Sequence, residues 1–172
     1  MQELVNRVAN SSLITINLEL DYPSEDVKIF DLKDYLFHGL ILKEKDFRTS
    51  LKEIDWNEYE GAHLCVHCST DAIIPHWAYM LVSASAKPYA LSIFFGTQAD
   101  FVKAYYTKLL SKKDYSKYEG ERIVIKGCSD KPVPVSAYME LTAHLQPYAQ
   151  SIMYGEPCST VPVFKRPRKL NK

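Results

Sequence analysis

Residues 75–96 read PHWAYMLVSASAKPYALSIFFG and residues 134–155 read PVSAYMELTAHLQPYAQSIMYG. The two stretches share their punctuation, and the punctuation predicts the structure. Pro75 and Pro134 suit a first helical turn, where the missing N–H has no intrahelical partner to lose. Pro88 and Pro147 push Lys87 and Gln146 out of helical geometry and end the helix. Between them, Trp77, Met80, Leu81 and Ala84 in the first stretch recur at the three-and-four spacing of a buried helix face. Val135, Tyr138, Met139 and residues 141–145 do the same in the second. A short apolar run follows each helix, residues 91–95 or 151–154, and closes at Gly96 or Gly155. Such a run reads as a strand returning parallel to one that precedes the helix, through a right-handed crossover.

Working outward, a shift of 59 positions aligns residues 55–96 with 114–155 without a gap, and 16 of the 42 positions are identical. That excess marks an internal duplication. Two copies are too few for a solenoid, which needs three or more stacked repeats to bury a core, so the copies belong inside one domain covering residues 1–172. Each opens with a β-rich run, residues 63–68 or 122–126, giving four parallel strands. An amphipathic segment at residues 98–110 joins the copies. The N-terminal third adds strands at residues 13–20 and 27–31 and a helix at residues 44–54. The expected class is therefore α/β, a mostly parallel sheet with crossover helices. Residues 165–172 carry five basic side chains and read as a frayed tail or a binding arm.

A chain of 172 residues buries roughly 70% of its unfolded surface and needs neither disulfide nor metal merely to fold. Acidic and basic residues balance at 21 each, which removes the long-range attraction used by binders of nucleic acid or anionic membrane. The first twenty residues carry Glu3 and Arg7 and lack the apolar core of a secretory signal, and no run of 18 apolar residues occurs. A cytoplasmic protein is expected. In that reducing setting the four cysteines point to thiol, metal or core roles rather than to disulfides.

In a parallel sheet, ligands gather outside the carboxyl ends of the strands. Three Cys-Ser pairs follow such ends: Cys68-Ser69, Cys128-Ser129 and Cys158-Ser159. If their strands are neighbours, the three thiols share one sheet edge and, with a fourth ligand, suit zinc or an iron–sulfur cluster. The bland alternative is that they pack as small apolar groups. Asp71 and Asp130 occupy equivalent loop positions ahead of the helix prolines, and either brace the loop as Asx-turns or contact the ligand or metal. His76 is the further ligand candidate. Cys65 belongs to the strand before Cys68, which makes it core packing rather than half of a zinc knuckle. Phosphate-loop, dinucleotide and nucleophile-elbow glycine motifs are missing from the sequence.

Three longer strings carry a resemblance: DLKDYLFHGLILKEKDFR at residues 31–48, IKGCSDKPVP at 125–134 and MYGEPCSTVP at 153–162. Together they resemble a bacterial family described as domain of unknown function 2480. The resemblance covers nearly the whole chain and implies no activity or catalytic residue, but it suggests iron–sulfur assembly proteins as partners. Three functions follow for testing. The first is a metal-handling or iron–sulfur accessory protein using Cys68, Cys128 and Cys158. The second is a thiol enzyme in which Cys68 or Cys128 is activated by a helix N-terminus. The third is an interaction module in which residues 37–48 form a homodimer or partner surface.

Overall fold

The computed structural model describes residues 13–127 and 130–167. In chain order the elements are β1 (Leu13–Asn17), β2 (Val27–Asp31), α1 (Glu44–Glu53), β3 (His63–His67), α2 (His76–Ala86), β4 (Ser92–Phe95), α3 (Gln98–Leu110), β5 (Arg122–Lys126), α4 (Val135–Leu145), β6 (Ser151–Glu156) and β7 (Ser159–Lys165). They divide between two compact units. Pro23–Phe101 forms an inserted unit, and the described residues on either side of it form an outer unit. No helix among the described residues is long and apolar enough to cross a membrane.

The α/β class holds, but the single sheet expected from the duplication is two sheets. In the inserted unit the order is β2-β3-β4, all parallel. In the outer unit it is β1-β5-β6-β7, parallel except for the last pair. Each repeat recruits its own N-terminal strand: Val27 pairs with His63, and Leu13 with Arg122. The duplication therefore runs further back than the sequence identity does. At the same shift, Phe47 and Leu51 of α1 correspond to Tyr106 and Leu110 of α3, and all four are buried. Trp56 donates its indole N–H to the Leu51 carbonyl at 3.0 Å, and the equivalent Tyr115 donates its hydroxyl to the Leu110 carbonyl at 2.9 Å. Each complete unit is strand, helix, strand, helix, strand, and one is inserted between the first strand and first helix of the other.

Why the central strands sit where they do follows from composition. Leu64, Cys65 and Val66 in β3, and Ile123, Val124 and Ile125 in β5, are all buried, as a strand covered on both faces requires. In the inserted unit, Leu64 and Val66 pack with Phe30, Phe47, Trp56 and the inner face of α2. That inner face is Ala78, Val82 and Ala86, matched in α4 by Ala137, Leu141 and Leu145. In α4 the expected face holds at Leu141 and Leu145, but elsewhere it is displaced: Met80 and Met139 are each 69% exposed, and Val135 is exposed too. Apolar residues surround these helices, so periodicity alone admits two neighbouring stripes. The buried stripe opens in both helices on an alanine, Ala78 or Ala137, whose small side chain lets the first turn approach the sheet, and continues through Val82 and Ala86 or through Leu141 and Leu145.

Burial pushes the Tyr115 phenol up to about 12, with the charges of Tyr118, Asp21 and Glu140 adding to the effect. An unfolded tyrosine titrates near ~10, so the folded state holds the proton more tightly. The stabilisation is complete below pH ~10 and is lost as pH rises from there toward 12, by about 2–3 kcal/mol over the interval. Urea unfolding at steps across this range should show the decline, and Tyr115→Phe should make it shallower by about 1.4 kcal/mol per pH unit. An unchanged slope in the variant would remove Tyr115 as its source.

Candidate functional site

The outer unit has one element the inserted unit lacks. After β6 the chain turns at Glu156–Ser159 and returns as β7, a strand not expected from the sequence, and one that contains Pro162. An edge strand tolerates proline, since one row of its backbone groups has no strand to pair with. Pro162 stands opposite Met153, beside a register shift between Ile152 and Met153 that bends the strand. Gly155 sets the close turn with φ +119, and a Cβ there would lie 2.6 Å from the Ser159 carbonyl oxygen.

A helix is about 10 Å across and strands are ~4.8 Å apart, so one helix spans roughly two strands. β7 widens the sheet beyond β5 and β6, the strands that α4 connects. Between α4 and the β6–β7 hairpin this leaves a groove of about 700 Å³. Val135, Tyr138, Met139, Met153, Tyr154 and Val163 dominate its lining, with Thr142 and Gln146 as polar edges. The Tyr138 and Tyr154 rings meet edge to face at 5.8 Å and form one wall. The Thr160 hydroxyl lies 3.7 Å from the Met153 sulfur. Tyr79 and Phe95 repeat the aromatic pair in the inserted unit at 5.1 Å, beside exposed Met80. The inserted unit has no counterpart to β7 beside this pair. The one signal in the sequence was the methionine shared by both copies at an exposed helix position, and only the structure reveals the exposure.

Cys65, Cys68 and Cys158 are not among the residues lining that groove. Cys68 follows β3, is half-buried, and has its sulfur 3.3 Å from the Thr70 hydroxyl. Cys158 is exposed in the β6–β7 turn. Cys128 lies outside the described residues. Because the two copies build separate sheets, the strands before Cys68 and Cys158 do not share a sheet edge. Among the described residues, no group of three or more His, Cys, Asp or Glu side chains is arranged to hold a metal ion. Cys65 is fully buried, and burial pushes its thiol up to about 11, as suits a packing residue.

Asp71, Asp130 and His76 are exposed at the loops and helix start where the sequence placed them. The loops themselves are tied by other carboxylates. Asp31 accepts from the amides of Lys33 and Ser69, both at 3.0 Å. Burial is the largest influence on its carboxyl and acts upward, yet the bonds from Ser69 and Lys33 and the nearby His67 outweigh it and hold the value below the usual range. In the outer unit, Glu19 accepts from the amides of Asp130 at 2.6 Å and Lys131 at 3.2 Å. Spacing gives no sign of either contact, because each crosses from one strand end to its neighbour's loop.

No curated protein and no solved structure matches the chain. The family model described as Protein of unknown function (DUF2480) matches residues 2–166, nearly the full length that contains both units and the groove, and the chain belongs to that family.

Proposed function

We propose that the chain is an interaction module whose recognition site is the groove between α4 and β6–β7, and that it holds an apolar segment of a partner protein. The observation that carries this is the convergence of exposed apolar side chains, Val135, Met139, Tyr154 and Val163, on one concave surface. Scattered exposed apolar residues need no explanation, whereas a contiguous concave set does. Its volume falls within the range of roughly 300–1,000 Å³ usual for binding pockets. The described lining residues are apolar apart from the hydroxyls of Tyr138, Tyr154 and Thr142 and the Gln146 amide, and they offer contact area and shape. Metal handling through Cys68, Cys128 and Cys158 has only the positions of the cysteines in the sequence in its favour.

The apolar fluorophore 8-anilinonaphthalene-1-sulfonate tests the reading. The wild-type protein should bind it saturably, and the double variant Met139→Glu with Val163→Glu should weaken binding at least about tenfold, or ~1.4 kcal/mol. Both side chains are exposed, so urea stability should change by less than about 1 kcal/mol. Unaltered fluorophore binding in the double variant would rule the groove out.

A further inference from the structure

The inserted unit carries an apolar projection at residues 37–41, Phe-His-Gly-Leu-Ile. Phe37 donates its amide to the Ile41 carbonyl at 2.8 Å, and Ile41 returns one to the Phe37 carbonyl at 3.3 Å, closing a tight turn. The reversal uses two left-handed residues, His38 at φ +50 and Gly39 at φ +71. Glycine adopts that conformation freely, and histidine is among the side-chain-bearing residues enriched in it, so the sequence suits the reversal. Its outer side chains are not covered: Phe37 is 46% exposed, Leu40 68% and Ile41 61%. Lys43 places its ammonium over one face of the Phe37 ring, 3.1 Å from the centroid, and leaves Leu40 and Ile41 as the leading apolar surface.

We propose that this turn seats in the α4–β6–β7 groove of a second copy of the chain, so that the protein self-associates. The inference rests on the groove being a binding site and names its occupant. The turn brings three large, exposed apolar groups within five residues on a reversal of the chain. A turn already closed by its own hydrogen bonds loses little freedom on docking, which favours it over a flexible segment. The equal numbers of acidic and basic residues remove the net repulsion that identical charged copies otherwise exert on each other.

Sedimentation velocity over a hundredfold range of concentration tests this with two double variants. One removes the projection, Leu40→Asp with Ile41→Asp, and the other alters the groove, Met139→Glu with Val163→Glu. The wild-type mass should rise above the 19.7 kDa monomer, while each variant alone should remain monomeric over the same range. An equimolar mixture should regain association, since one partner keeps its turn and the other its groove, and that recovery also shows that both variants are folded. A wild-type protein that stays at monomer mass overturns the inference, as does a variant that associates normally or a mixture that stays monomeric. Fluorophore binding separates the two levels. If the wild-type is monomeric yet binds the fluorophore in a groove-dependent way, self-association alone is wrong; if the groove variant binds the fluorophore unchanged, the binding site itself is wrong.

Discussion

Tyr106→Ala is expected to lower the unfolding free energy by about 3–5 kcal/mol. Tyr106 is fully buried and is among the largest such side chains in the chain. Its hydroxyl donates to the carbonyl of Leu18 at 2.7 Å, joining α3 to the residue directly after β1. Alanine would leave a ring-sized cavity and a buried carbonyl that has lost its partner. Tyr106→Phe keeps the ring and isolates the second effect, with an expected loss of about 1–3 kcal/mol. Urea unfolding of the three proteins, compared at equal denaturant slope, gives both values. An alanine variant that loses less than 1 kcal/mol would mean that α3 does not pack on the start of the outer unit as described.

Gly155→Ala should be nearly as damaging, by about 2–4 kcal/mol, and its damage should be local. The residue sits at φ +119, where an L side chain is strained, and the new Cβ would lie 2.6 Å from the Ser159 carbonyl oxygen. A flexible side chain could move aside, but this oxygen belongs to the backbone of β7, where Gly155 pairs with Thr160. Relief must come from moving β7. Fluorophore binding in the groove should therefore weaken together with stability, and amide exchange should quicken in Ser159–Lys165 more than in β5. The repeat-equivalent Gly96→Ala is the comparison: there the nearest obstacles are the Phe94 and Asp100 side chains, at 3.0 and 3.3 Å. A Gly155 variant with unchanged exchange in β7 would contradict the turn geometry.

Local chemistry was legible in the sequence and long-range pairing was not. Pro75, Pro88, Pro134 and Pro147 bracketed α2 and α4 closely, and the runs after them became β4 and β6 with parallel pairing to β3 and β5. Nothing in the spacing told β2 to join one repeat and β1 the other. Toward its N-terminal side each repeat differs more from the other, since Phe47 aligns with Tyr106 and Trp56 with Tyr115, while the burial and the ring-to-carbonyl bonds are shared. The face of α2 and the first turns of α4 were misjudged because tyrosine and methionine look like better core residues than alanine, whereas Leu141 and Leu145 are buried as their spacing indicates. The groove depends on β7, which was not expected from the sequence, and on the outward position of Met139. The cysteine reading assumed one sheet edge, and the division into two sheets separates the strands that lead to Cys68 and Cys158.

The insertion of one unit inside the other also sets an order of events during synthesis. β1 leaves the ribosome before any other described strand, yet β5, with which it pairs, follows about 100 residues later. At roughly 5–20 residues per second, β1 must wait about 5–20 s for its partner. In that interval the inserted unit receives all three of its strands and both of its helices and is free to pack. The outer sheet is therefore begun first and closed last, and its opening strand spends the wait as an unpaired edge of the kind that recruits other chains.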